Sequence, residues 1–351
     1  MMKHPISRAL SYAVIDGVLP MLDRRLPWSR RPFDAADIMK PHAQSHTWAT
    51  THFGVFVPDL PAPLRYVNTM TLLGASGTEL FDLDHLAAPD ARNTATVFSS
   101  TAKGDQRFYR AYDMQTDCSF SDDGAQLRWA DDLSIDVALP EVRVRGCYPQ
   151  FSVDLKLAVT DQVSYFVKTP IYDHLSLLAP YRGVVDGTAV HGLATFEYAR
   201  IRTLQGLLRR PMPARLKLPL DFFTYQIINI DEQTQVLLTE VRARGRIACR
   251  LAHVRVLGAE TEVYPDVDFT VTEYGDPMVD DRGNTMRCPH KIRWTVRDGG
   301  REILAVEGTV DSPWRLGHGP GYVAAYSYTG TWRSAAVSGS AYLEWIDVQP
   351  I

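Results

Sequence analysis

The chain has 351 residues, 41 acidic against 37 basic, and an apolar share of 45%. At roughly 100–200 residues per domain this length predicts two domains, each able to build a core, and excludes disorder as the dominant state. A net charge of −4 lacks the one-sided basic field that a phosphate backbone attracts, so nucleic acid is not an expected partner.

The first 45 residues read as a helical extension. Ile6, Leu10, Ala13, Val14, Val18 and Met21 recur at helical spacing, and Arg24, Arg25, Arg30 and Arg31 follow. Arg8, Asp16 and Pro20 interrupt the apolar run and no small-residue cleavage site follows, which argues against a signal peptide and a bilayer span. The preferred expectation is that the helix lays its stripe on the protein's own body; the alternative is peripheral contact with a membrane surface. Cys118, Cys147, Cys249 and Cys288 are widely separated and form no CxxC pair. They read as reduced core residues of a cytoplasmic protein.

From residue 46 the pattern changes to short segments rich in β-branched and aromatic residues, such as Phe53 to Val57, Tyr66 to Leu72, Ser152 to Val159 and Leu193 to Tyr198. Alternation of polar and apolar residues in Ser152 to Val159 predicts a strand with one wet face, hence antiparallel sheet. A basic, proline-containing stretch over 203–219 reads as a linker. Beyond it strands resume at Phe222 to Ile230, Gln235 to Arg242, Val267 to Tyr274, Lys291 to Arg297, Glu302 to Val310, Tyr322 to Trp332 and Ser338 to Ile346, with hairpin turns at residues 281–284 and 297–300. The expected organisation is one β-domain over 46–202 and a second over 220–351, each a barrel or sandwich. No repeat between the halves is legible in the sequence.

The strong catalytic signatures are absent: no GxSxG elbow, Walker loop, HExxH helix, or GxGxxG after a strand. Gly317, Gly319 and Gly321 lie among Pro and Trp with no helix to receive a phosphate, and read as loop geometry. His42 and His46, with His52 beyond, lie in a Pro-led stretch without the glutamate of a zincin. No metal is therefore expected, and turnover is expected to survive chelators.

The second half carries a resemblance. Asp221-Phe-Phe-Thr-Tyr-Gln-Ile, then Gln235 to Val241, then Val271-Thr-Glu-Tyr, Cys288-Pro-His-Lys-Ile-Arg-Trp294 and the closing Tyr342-Leu-Glu-Trp345 stand in the order found in the acyclic carotenoid hydratase and AttH-like family. In the first half, Tyr172-Asp-His-Leu-Ser and His191-Gly-Leu-Ala-Thr-Phe-Glu197-Tyr resemble that family's paired strands. Thr195, Tyr198, Ala199 and Arg200 stand where its Trp-x-Asp-His-Glu-Trp motif has other residues. The resemblance implies an all-β fold of two lipocalin-like domains, an apolar pocket between or inside them, and no redox cofactor. It also implies a hydratase, cyclase or isomerase acting on a hydrophobic isoprenoid or lipid-like molecule. A non-catalytic carrier of such a ligand is the alternative.

The residues suggest how such chemistry works, since one carboxylic acid of raised pKa in a dry cavity suffices to deliver a proton. Glu197 follows apolar Leu193 on one strand face and is a candidate acid; its bland alternative is an ion pair with Arg200 or Arg202. Asp221 shares a face with Phe223, Tyr225 and Ile227 and is a second candidate, or else a turn cap. His290 shares a face with Ile292 and Trp294 and is a third catalytic candidate, with a satisfied core histidine as the commoner alternative. Tyr172, His174 and His191 are candidates for a polar cluster that contacts the ligand, with a surface hairpin as the preferred alternative, and Phe223, Tyr225 and Trp294 are candidate aromatic contacts to it.

Overall fold

The computed structural model describes residues 12–34, 39–82, 86–213, 216–280, 283–317 and 319–349. Two large antiparallel sheets dominate, one built from strands between Thr50 and Ile201, the other from strands between Leu220 and Asp347. The fold is all-β, with two barrel-like sheets preceded by short helical turns. Among the described residues no helix is long and apolar enough to cross a membrane.

Both sheets follow one plan. The opening strand Thr50–Val57 pairs with the closing strand Thr188–Ile201 in the middle of the first sheet, and Leu220–Asn229 pairs likewise with Ala335–Asp347 in the second. Two-residue periodicity then sorts the side chains. Phe53, Val55 and Val57, with Phe196 and Tyr198, belong to an apolar cluster drawn from the first half alone, together with Trp129 and Leu155. His52, Gly54, Phe56, Thr195, Glu197 and Ala199 take the opposite face. There Phe56, Met70 and Phe166 join a second cluster with Phe223, Tyr225, Ile227 and Tyr342 of the second sheet. Both faces of the central strands of the first sheet are therefore buried.

The second barrel keeps its own interior, in which Phe222 meets Trp345 edge-on at 4.9 Å and Phe269 lies 4.3 Å from Trp294. One long strand next to the sheet edge, Arg246–Val256, is not legible in the sequence because arginines interrupt its apolar pattern. The hairpin expected at 281–284 is flanked by paired Met278–Val279 and Thr285–Met286, while Asp281 and Arg282 themselves lie outside the described residues.

The amino-terminal segment fastens to the edge strand Val163–Lys168. Arg24 N donates to the Lys168 carbonyl at 2.8 Å, Lys168 N donates to Asp23 at 3.1 Å, and Tyr165 N donates to the Ser29 hydroxyl at 2.8 Å. These bonds satisfy backbone groups that an edge would otherwise expose. The expected stripe needs correction: Met21 and Val18 are exposed, and it is Ile15 and Leu19 that face inward. Ile6 and Leu10 lie outside the described residues. Among the cysteines, Cys249 and Cys288 are buried, but Cys147 is exposed and Cys118 half-buried, so these two are not core residues.

Candidate functional site

Strand register assembles a polar group on the buried face shared by the two sheets. On the closing strand of the first sheet, Glu197 stands between Gly54 and Ser176, while Ala199 stands between His52 and His174. Small residues beside the carboxylate and between the imidazoles leave room for all three polar groups. Gly54 is required by this crowding, since a Cβ there would lie 2.8 Å from His52 Nε2 and 2.7 Å from the Phe56 ring. His52 Nδ1 lies 2.8 Å from the Thr71 carbonyl. A carbonyl can only accept, so Nδ1 carries the hydrogen and Nε2 is turned toward Glu197's row. Burial and the neighbouring His174 push the His52 pKa down to about 4.

The second sheet supplies the partners. Tyr225 donates from its hydroxyl to Glu197 Oε1 at 2.6 Å, and His174 Nε2 lies 3.6 Å from Glu197 Oε2. Directly across the strand pair from Tyr225 is Glu344. Asn68 donates to the Tyr342 hydroxyl at 3.2 Å, and that hydroxyl donates to Glu344 Oε1 at 2.9 Å. Burial, reinforced by the negative charge of Glu197, drives the Glu344 pKa up to about 8. Loss of solvation also raises the Tyr225 and Tyr342 hydroxyls. The balancing cation is Arg255, fully buried, which donates to the Ser176 carbonyl at 3.0 Å and to the Gln235 side chain.

Two linked cavities lead to this group. The inner one, about 40 Å³, is bordered by His52, His174, Glu197, Tyr225 and Glu344 together with Phe56 and Phe166. That is room for roughly three waters at ~10–15 Å³ each. The outer one, about 230 Å³, shares Phe81, Phe166, Tyr172, His174, Phe223 and Thr239 with it, and its remaining wall is apolar, with Ile15, Leu19, Leu220 and Val241, except for Arg25. An apolar chamber thus ends at a polar wall, and it lies between the barrels.

Of the expected site residues, Glu197, Tyr172, His174, Phe223 and Tyr225 border these cavities. Glu197 forms no ion pair with Arg200, which binds Asp173 at 2.9 Å, nor with Arg202, which lies over Trp48. The other expected residues lie elsewhere. Asp221 accepts from Arg244 N at 3.0 Å and sits 3.6 Å from its guanidinium, so it locks a strand end. His290 is half-exposed beside Glu273 at 3.9 Å. His191 is exposed near the tip of the Tyr172–Ile201 hairpin and does not join His174, and Trp294 is sealed in the second barrel against Phe269.

Two contributors escaped the sequence reading. Glu344 was visible only as part of the closing Tyr-x-Glu pattern, with nothing local to mark it as buried. His52 was grouped with His42 and His46 in a coil, whereas it lies on the opening strand.

Two antiparallel barrels packed about a buried carboxylate site define a two-domain lipocalin-like protein. Residues 70–351 match a family of unknown function, DUF6670, and the chain belongs to that family. No curated protein matches the sequence. Among solved structures, the chain is similar to kievitone hydratase from Nectria haematococca, with a TM-score of 0.57 and 11% identity over 91% of this chain and 94% of that one. CghA in complex with Sch210972 aligns at a TM-score of 0.47 and 12% identity over 93% of this chain and 97% of that one. At such identity the likeness concerns the fold. An acyclic carotenoid as substrate rests on the sequence motifs alone.

Proposed function

We propose that the protein is an enzyme that transfers a proton to a hydrophobic small molecule and thereby hydrates, cyclises or isomerises it. The observation that carries this reading is Glu344, a carboxyl held protonated at neutral pH by burial and set at the polar end of an apolar chamber. A neutral carboxylic acid in a dry site is a competent proton donor. In the hydration variant the Glu344 proton forms a C–H bond at one carbon of a double bond, leaving the cation on the other. The ring faces of Phe56, Phe166 and Tyr225 suit such a charge. Water in the inner cavity closes the C–O bond, and its surplus proton returns to the carboxylate pair Glu197 and Glu344. In the isomerase or cyclase variants the cation loses a proton elsewhere or is captured internally, and water plays no part.

The wall of the outer chamber, apolar except for Arg25, Tyr172, His174 and Thr239, favours an isoprenoid or lipid-like chain as the substrate. The fold shared with a protein named as a hydratase supports the hydration variant. A carrier would need the outer chamber alone and would have no use for a buried protonated acid. Native mass spectrometry of the purified protein identifies a co-purified ligand, which is then incubated with the protein in ²H₂O. Deuterium entering a C–H position, abolished by Glu344→Gln while binding persists, is the expected result. A ligand returned unlabelled by the wild type would overturn the catalytic reading in favour of carriage.

A further inference from the structure

We infer that His52, His174 and Glu197 form a binding site for a divalent transition-metal ion such as Zn²⁺. The ligand atoms of these three residues all lie within 4.8 Å of one another. They come from three neighbouring strands, the opening strand Thr50–Val57, the strand Tyr172–Val185 and the closing strand Thr188–Ile201, so the chain separation that hid the cluster in the sequence is removed by register. Two imidazoles and one carboxylate are the donor set that leaves a fourth position open on a catalytic zinc.

Several details fit an ion better than a core polar cluster. His52 gives its Nδ1 hydrogen to the Thr71 carbonyl at 2.8 Å. This is the outer contact by which metal-binding histidines are oriented, and it leaves Nε2 as the donor atom on the side of Glu197. His174 Nε2 is buried and makes no hydrogen bond, although it is only 3.6 Å from Glu197 Oε2. Metal–ligand bonds of about 2.0–2.2 Å place neighbouring donor atoms roughly 3.3–3.5 Å apart, so the 3.6 Å edge between His174 and Glu197 is close to the required length, and the remaining edges, within 4.8 Å, have to close by at most about 1.5 Å. Glu197 divides its two oxygens between tasks: Oε1 accepts from Tyr225, while Oε2 faces His174. Arg255 directs its hydrogen bonds to Ser176 and Gln235. The inner cavity borders all three ligands and accommodates water on the open side of the ion.

This site shares Glu197 with the proton-transfer reading but not the proton donor Glu344, so the two are tested apart. The test uses the full-length protein after chelator treatment and gel filtration, titrated with Co²⁺ and followed by visible d–d absorption. One equivalent is expected to develop the intense bands of a four- or five-coordinate ion, and Zn²⁺ is expected to bleach them. His52→Ala and His174→Ala each weaken Co²⁺ binding on the order of tenfold or more, whereas His290→Ala, at an exposed histidine, leaves the titration unchanged. Circular dichroism confirms that each variant is folded, and His174→Gln serves if the alanine variant is not. Absence of the bands at stoichiometric Co²⁺, or bands that persist undiminished in the folded His52 and His174 variants, would overturn the site. Both results leave the deuterium experiment untouched.

Discussion

The Tyr225 hydroxyl donates to Glu197 at 2.6 Å, and this bond crosses from the second sheet to the first. Around it the aromatic faces interlock, with Phe166 edge-on to Tyr225 at 5.1 Å and Phe56 at 6.1 Å. Such pairs contribute about 0.5–1.5 kcal/mol each beyond their area. The same contact therefore joins the barrels and orients the carboxylate.

Tyr225→Phe keeps the ring and removes the donor. Glu197 Oε1 then keeps the long contact from the Thr195 hydroxyl at 3.5 Å. Leaving a buried acceptor in this state costs about 1–3 kcal/mol. Urea denaturation should show that loss with an unchanged m-value, and an unaltered midpoint would refute the bond's contribution.

Glu344 makes stability depend on pH in a direction opposite to that of a salt-bridged acid. Its folded pKa of about 8 stands above the ordinary 4.5, so between these values the folded state retains a proton that the unfolded chain has released. Stability contributed by the neutral form is complete below pH 4.5 and declines as pH rises toward 8. His52, lowered from 6.5 to about 4, acts in the other sense, adding stability as pH rises from 4 to 6.5. The window from 6.5 to 8 belongs to Glu344 alone of the two. Melting temperatures measured across it should fall in the wild type and fall less in Glu344→Gln; parallel curves would contradict the raised pKa. Turnover, if it uses this acid, should decline above pH 8.

Gly54→Ala inserts a methyl into contacts of 2.7–2.8 Å with Phe56 and His52. Overpacking of this kind typically costs about 1–3 kcal/mol. Differential scanning calorimetry is the direct check, and a variant as stable as the wild type would mean that the His52 ring is free to move aside.

The outer chamber can be filled. Val241→Trp projects an indole into the 230 Å³ space, and a fluorescent apolar probe should bind at least about tenfold more weakly, equivalent to about 1.4 kcal/mol. If the folded variant binds the probe as well as the wild type does, the chamber is not where apolar ligands lodge.

Deletion of the residues before Pro27 removes Ile15 and Leu19 from the chamber wall and breaks the Arg25 contact with the Ala248 carbonyl at 2.9 Å. Lower thermal stability together with weaker probe binding is the expected outcome. Unchanged melting accompanied by loss of binding to anionic vesicles would instead assign the segment to a membrane surface.

Much of the fold was legible because period-two patterning and turn residues mark strands locally. Arg246–Val256 escaped because its arginines suggest an exposed surface, whereas Arg255 is buried by partners at Ser176 and Gln235 that no local pattern reveals. Glu197 was readable from its apolar strand face. Asp221 and His290 share strand parity with buried residues and still lie away from the polar group, because each is the second residue of its strand, and parity tells the face but not the position along it. The pairing of Glu344 with Glu197 and of His52 with His174 depends on long-range register, to which single-strand patterns are blind.

The strand order described above also constrains how the molecule is made. In each barrel the first strand waits for the last, Thr50 for Ile201 and Phe222 for Asp347, before the middle of the sheet exists. Within each sheet these are the strand pairings of greatest sequence separation, and loop-closure entropy makes them slow to form. His52, Glu197, Tyr225 and Glu344 all ride on those late-joining strands, so the pocket is absent from any partly synthesised or half-folded chain. Ligand capture thus becomes a report of completed folding, and a destabilised variant that still binds must have closed both seams.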